Sequence, residues 1–299
     1  MPIIVNGTTL NNVDVGGANI QKVYARQGET GTYVLVFEKG GVTTMALWFG
    51  GNWKMNQTKA AIDTYFETFN SALELNPTKK VVIFPPACYL DYTKSKISSA
   101  LSGMVEIGIQ NISAARIGAY TGQISAQMAV DCGCAYAMIG ENEVRAYLGA
   151  SDYDVHNQVL LALSNGLKPV LCVGENLEIR DAGTYRVYVQ NQLQAAIGDD
   201  VTAEQAETMI IVYEPIWAIG TGKICSAAQA NQMCGYIKDW LDEKWGQGTT
   251  EKISVCFGGS VRASNINELL AQPNISGANV SGVSIQAANF AEMINIAGA

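Results

Sequence analysis

Histidine is almost missing. The 299-residue chain carries one, His156, so any chemistry that requires an imidazole has a single candidate. Basic residues are also scarce: 19 Lys and Arg stand against 27 Asp and Glu, a net charge of −8. That balance argues against a nucleic-acid surface. An anionic ligand would need a local positive pocket in a negative protein. No apolar stretch is long enough to cross a bilayer, and the first residues lack a basic start followed by an apolar block. Neither membrane attachment nor a secretion signal is expected. The seven cysteines are scattered and odd in number. Cys132 and Cys134 form a C-x-C pair too sparse for a zinc site. The thiols are expected to be reduced and mostly buried, in a reducing compartment, with no metal and no cofactor.

Hydrophobic residues make up 48% of the chain, ample for a core. The length suits one large α/β domain, alone or with a small addition. The addition is residues 1–41. Asn6-Gly7 and Gly16-Gly17 are turn signals, Val13 and Val15 alternate between them, and Tyr33–Phe37 is a strand. Three or four short antiparallel strands are expected, ending at Gly40-Gly41. So few residues cannot bury a core of their own, so the module should lean on the rest of the chain, on copies of itself or on a partner.

Residues 42–299 alternate strand-like runs with helical patterns. The expected strands are Met45–Gly50, Lys80–Phe84, Val105–Ile109, Ala135–Ile139, Pro169–Val173, Met209–Val212, Ile253–Phe257 and Ala278–Ser281. Eight βα units in succession point to an α/β fold with a closed parallel (β/α)8 barrel, preceded by the antiparallel module. Active residues of such barrels lie at the strand C-termini.

The most informative stretch is Tyr213-Glu-Pro-Ile-Trp-Ala-Ile-Gly-Thr-Gly-Lys223. It follows a short β-branched run, which places the Glu214 carboxylate at a strand end. Pro215 stiffens the exit, Gly220 and Gly222 loosen the tip, and Lys223 leads into a helical pattern. This is a candidate base next to a candidate lid formed by Pro215, Ile216, Trp217, Ala218, Ile219, Gly220, Thr221, Gly222 and Lys223.

That stretch resembles the catalytic glutamate and closing loop of triosephosphate isomerases. The resemblance runs from residue 44 to about 296. It is carried also by Gly51-Asn-Trp-Lys-Met-Asn56, Gln110-Asn111, Gly118-Ala-Tyr-Thr-Gly122, Cys172-Val-Gly-Glu175 and Phe257-Gly-Gly-Ser-Val261. It implies Glu214 as the base and Lys54 as the electrophilic lysine, with Asn52 orienting lysine and substrate. Backbone N–H groups at Gly220, Ser260 and Gly282 would hold a sugar phosphate. The loop around Thr121 would enter a second copy's pocket, making a homodimer. Residues 1–41 resemble short N-terminal modules of bacteriophage virion-associated proteins, which implies anchoring to a protein assembly. The expected location is cytoplasmic or on a phage particle.

The resemblance breaks at one place in the pocket after another. Where the family has Gly-His-Ser-Glu-Arg-Arg, this chain has Gly140-Glu-Asn-Glu-Val-Arg145, so Glu141 replaces the catalytic histidine and Val144 an arginine. His156 lies in an expected helix, Asp152–Leu163, as a surface residue, and cannot stand in. Leu-Val-Gly-Gly at the eighth strand is here Asn279-Val-Ser-Gly282, and the Ser281 side chain would crowd a phosphate. An ionised glutamate only accepts hydrogen bonds and repels an enediolate, whereas a protonated one could donate, and nearness to Glu214 would push it that way. Glu141 is expected to be ionised, favoured by a helix N-terminus and by Lys54, and paired with that lysine. The leading expectation is a degenerate isomerase kept as a structural or binding domain. The alternatives are an active triose-phosphate or related aldose–ketose isomerase with a rewired electrophile, and a sugar-phosphate sensor.

Overall fold

The computed structural model describes residues 45–219 and 221–298, together with four strands ahead of them. The chain divides into two compact units, residues 1–44 and 45–299. In the first, β1 (Ile3–Val5) pairs antiparallel with β2 (Thr8–Leu10), and β3 (Lys22–Gln27) with β4 (Thr32–Glu38). The Asn6-Gly7 and Gly16-Gly17 dipeptides, Val13 and Val15 lie outside the described residues.

In the second unit eight parallel strands close on themselves in chain order. They are β5 (Leu47–Asn52), β6 (Lys79–Phe84), β7 (Val105–Ile109), β8 (Tyr136–Ile139), β9 (Lys168–Val173), β10 (Ile210–Tyr213), β11 (Ser254–Gly258) and β12 (Gly277–Val280). Each lies within one or two residues of its expected bounds. The first strand differs most: it starts and ends two residues later than expected, and Gly50 and Gly51 continue the ladder opposite Val82 and Ile83. Their glycine identity answers crowding instead. A Cβ on Gly51 would lie 3.0 Å from the Phe290 ring, and one on Gly50 2.4 Å from Asn279 and the Trp48 ring.

The helices are α1 (Lys59–Ala72), α2 (Leu90–Lys96), α3 (Ala126–Asp131), α4 (Asn142–Leu148), α5 (Asp152–Ser164), α6 (Leu177–Asp181), α7 (Tyr185–Ile197), α8 (Ala203–Ala206), α9 (Ala227–Trp245), α10 (Ile266–Leu270) and α11 (Ala287–Ile296). Side chains of a strand alternate between faces, which divides the core into two layers. Trp48, Val82, Phe84, Tyr136, Met138, Val170, Cys172, Val212 and Cys256 fill the inside of the barrel. Phe49, Ile83, Ile107, Leu171, Ile211 and Val255 point outward against the helices. Burying each large apolar side chain contributes about 1.5–3 kcal/mol. Ser226 opens α9 with a capping box: its side chain accepts from Gln229 N, and Gln229 reaches back to Ser226 N. The lid is thereby attached to a firm helix start. No described helix is long and apolar enough to cross a membrane.

One expectation needs correction here. His156 lies on α5, but it is not a solvated surface group. Its Nδ1 is 3.0 Å from the Ala196 carbonyl and its Nε2 3.3 Å from Asp200. Helix α5 packs on α7, so the ring is held at the end of α7, against Ala196 and Asp200.

Candidate active site

Glu214 follows β10 directly. Its backbone N–H donates to the Val173 carbonyl at the end of β9, 2.8 Å away, which holds it at the barrel mouth. Two glycines make room for it. A Cβ on Gly174 would lie 1.8 Å from the Glu214 carbonyl oxygen, and one on Gly258 3.0 Å from Glu214 Cγ. The side chain is 6% exposed. Its Oε2 accepts a long hydrogen bond, 3.4 Å, from Asn142 N at the start of α4. Burial pushes its pKa up to about 8; the Glu141 charge adds to this and Lys54 opposes it. A carboxyl in that range is poised for proton transfer near neutral pH.

Lys54 leaves β5 in a left-handed conformation, φ 49°. A non-glycine residue there is strained, and such strain persists where neighbours fix it. Asn52 Oδ1 accepts from Lys54 N at 2.9 Å, and Gln110 Nε2 donates to the Lys54 carbonyl at 2.9 Å. Asn52 is buried, and its amide nitrogen rests 3.3 Å from Met138 Sδ. The Lys54 ammonium is engaged by two carboxylates. It lies 3.1 Å from Glu141 Oε1 and bonds Glu143 Oε1. Burial works against the ammonium, but Glu141 and Glu143 outweigh it and raise its pKa.

Glu141 caps α4: its Oε2 accepts from Glu143 N at 2.7 Å. The turn before it requires Gly140, at φ 71°. The expected ion-pair geometry with Lys54 is present. Glu141 is 5% exposed, and burial, reinforced by Glu143, pushes its pKa up to about 7 despite Lys54. The helix N-terminus and the ammonium favour the carboxylate, yet desolvation is the larger effect. Glu143 goes the other way. Burial opposes its ionisation, but hydrogen bonds from Glu141 and Lys54 lower its pKa.

A cavity of about 730 Å³ opens over these groups. Lys54, Glu214, Ser260, Ser281 and Gly282 line it, with Pro215, Ala218, Ile219 and Lys223 from the lid. Asn52 and Glu141 do not line it; they touch Lys54 from behind. Ile216–Ala218 form one 3-10 turn, and Trp217 is turned into the core, 5% exposed. Thr221 Oγ1 donates back to the Trp217 carbonyl at 2.9 Å and accepts from Lys223 N. Gly222 has φ 77°. Gly220 lies outside the described residues.

Four features were not foreseen in the sequence. Glu143 shares Lys54 with Glu141; its place two residues into a helix start is the signal that could have found it. Gln110 ties the β5 and β7 loops together. Glu175, fully buried, accepts from Tyr213 OH at 3.0 Å and Arg180 at 3.1 Å, while Arg180 stacks on Trp217 at 5.0 Å. Asn279 lines the cavity at 5% exposure, and no described residue donates to its Oδ1. An unpaired buried polar atom costs about 1–3 kcal/mol. A polar residue in an otherwise apolar strand was the signal.

Among the described residues no cluster of His, Cys, Asp and Glu could hold a metal. All seven cysteines are free, and Cys134, Cys172, Cys234 and Cys256 are buried.

The fold and this mouth define a (β/α)8 barrel with an acid–base pocket at the strand C-termini. Residues 47–297 match the family model of triosephosphate isomerase. The chain is 40% identical over 253 residues to the triosephosphate isomerase of Hydrogenovibrio crunogenus, covering 84% of this chain and 98% of that one. It is 36% identical over 252 residues to that of Taenia solium (84% and 98%), and 37% over 248 residues to that of Rhodopirellula baltica (83% and 96%). The chain belongs to the triosephosphate isomerase family.

Proposed function

We propose that this family member is a degenerate isomerase, kept as a binding or structural domain, with little turnover of triose phosphates. The observation that carries this is the Lys54 ammonium, held by Glu141 and Glu143 where the family places a lysine beside an imidazole. Glu214 is the base of that chemistry, Lys54 and Asn52 its electrophile and orienting amide, and Ser260, Ser281, Gly282 and Gly220 its anion rim. An ammonium already neutralised by two carboxylates gives little to an enediolate. Losing one oxyanion donor costs about 10²–10³ in rate, and a carboxylate in its place costs more. A coupled assay with D-glyceraldehyde 3-phosphate is expected to give a kcat at least ~10³-fold below that of the Hydrogenovibrio crunogenus relative. Ordinary turnover would overturn the reading.

A second reading is favoured by one observation. Glu141 is pushed up to about 7, so its protonated form can donate a hydrogen bond as an imidazole would. A working isomerase built this way loses activity as pH rises through 7. A flat, low profile excludes it.

The same proposal extends to assembly. A homodimer through the Thr121 loop is supported by exposed apolar groups on that loop and beside it: Ile117 is 86% exposed, Leu148 73% and Met55 96%. Leu148, Val144 and Thr121 line one further cavity. Light scattering showing a monomer at micromolar concentration would refute the dimer. Residues 1–41 are the anchor to a larger assembly, such as a phage particle, because two short antiparallel ladders cannot bury a core. Co-sedimentation with that assembly that survives removal of residues 1–41 would refute the anchor.

A further inference from the structure

We propose that Glu141 is a proton-operated gate on anion binding at the barrel mouth: protonating its carboxyl releases one of the two carboxylates that hold the Lys54 ammonium, and an anionic ligand takes its place. The inference concerns the regulation of the site described above. It rests on the degenerate-isomerase reading, in which the domain is kept for binding.

Lys54 is the point that a ligand and Glu141 both reach. Its side chain lines the cavity and is 33% exposed. Glu141 Oε1 meets the ammonium from behind, 3.1 Å away, and Glu141 does not line the cavity. An anion in the cavity therefore does not touch Glu141, yet the two compete for one cation. Glu141 Oε2 is committed to the Glu143 N–H at 2.7 Å, so the oxygen left to take a proton is Oε1, the one that faces Lys54. The proton has a partner there: a hydrogen bond between Glu141 and Glu143 raises the pKa of the first and lowers that of the second. Glu143 stays ionised on Lys54 while Glu141 gives up its charge. The coupling is reciprocal: an anion on Lys54 favours the proton on Glu141, and the proton favours the anion. An imidazole in this place would carry no negative charge to switch off.

The other ionisable groups around Glu141 set the sign and the range. Lys54 after β5 and Glu143 on α4 are its ion-pair neighbours. Arg145, also on α4, is a fixed charge that donates to the Gly140 carbonyl and to Asp152. On β9, burial together with Glu214 and Glu141 holds the Cys172 thiol well above its ordinary value, so it stays neutral. Glu214 after β10 lines the cavity itself. Only Glu141 and Glu214 change charge near neutral pH, because burial pushes them up to about 7 and about 8. Both are neutral below that range and ionised above it. Anion affinity is therefore highest at acidic pH and falls as pH rises through 7 to 8.

The test uses the full chain and inorganic sulfate, a dianion throughout the range, so the probe's own titration adds nothing. Calorimetry at pH 5.5 and 8.5 gives the affinities. Repeating it at pH 7.5 in two buffers of different ionisation enthalpy counts the protons taken up. Sulfate is expected to bind at least about tenfold more tightly at pH 5.5, with proton uptake on binding. Glu141→Gln keeps the shape of the carboxyl but cannot ionise. It is expected to lose most of that ratio by tightening binding at pH 8.5. Glu214→Gln is expected to keep at least about threefold, the share that belongs to Glu141. An unchanged ratio in folded Glu141→Gln overturns the proposal and assigns the effect to Glu214. A proton count of zero on the unaltered chain overturns it without recourse to a variant, and so does equal or tighter binding at pH 8.5 or no saturable binding at pH 5.5. Turnover of D-glyceraldehyde 3-phosphate is a separate readout, so failure of the degenerate-isomerase reading is distinguishable from failure of this one.

Discussion

The two sides of the barrel mouth solve the same problem differently. On the lid side, a fully buried carboxylate, Glu175, is met by an arginine and a phenol, and the arginine is stacked on Trp217 and on Tyr185 at 4.2 Å. Around Lys54, Glu141, Glu143 and Glu214 crowd about one ammonium, and Asn279 Oδ1 has no described donor. Glu175 has a cation of its own, although its Oε2 is left without a partner among the described residues, whereas Glu141, Glu143 and Glu214 share one ammonium. The difference teaches that the packing beneath the lid and the charges around Lys54 are separate networks. Hinge packing depends on Tyr213, Trp217 and Glu175.

The comparison is most strongly tested at Glu175. Removing one member of a buried ion pair leaves the other uncompensated, at a cost of about 3–5 kcal/mol. Glu175→Ala is therefore expected to lower unfolding free energy by about that amount in urea titrations. A negligible loss would show that the lid side is no better matched than the other. On the acidic side, Glu141→His should raise isomerase kcat by about 10²–10³, the worth of one oxyanion donor. No gain in a folded variant would move the defect elsewhere, to Ser281 or Asn279.

The smallest effect is on pH dependence. Glu141 and Glu214 have folded pKa values of about 7 and about 8, against an ordinary value of 4.5. Between about pH 4.5 and 8 the folded state holds more protons than the unfolded one, so stability falls as pH rises through that window. Glu143, lowered, acts in the opposite sense, and only below its ordinary value. Lys54, raised, matters only above 10.5. The melting temperature should be higher at pH 5.5 than at 8.5. Glu141→Gln should flatten that slope, raising the value at pH 8.5 by about 2–4 °C per kcal/mol recovered. A rising slope would mean that Lys54 outweighs burial at Glu141.

Much of the barrel was legible in the chain. β-branched runs of four to six residues, spaced by helical patterns, placed every strand, because parallel strands covered on both faces must be apolar throughout. Glu214 was named from its strand end, and Lys54, Ser260, Ser281 and Gly282 from the family resemblance; all line one cavity. The first strand was expected to end at Gly50, and the ladder runs two residues further, to Asn52. The desolvation of Glu141 was not legible, because a helix N-terminus and an ammonium can be read locally, whereas burial cannot. Glu143 was passed over because its side chain meets Lys54 only when two loops 89 positions apart in sequence come together.

The sequence by itself determined the alternation of elements, the residues at the strand ends and the presence of a single imidazole, since these follow from local pattern and residue chemistry. Only the tertiary structure decided which groups share Lys54, how deeply Glu141 and Glu214 are desolvated, and that the Asn279 oxygen lies over Gly50 with no described donor. Those depend on distances across the barrel and on the exclusion of water, and neither is a property of any single stretch of chain.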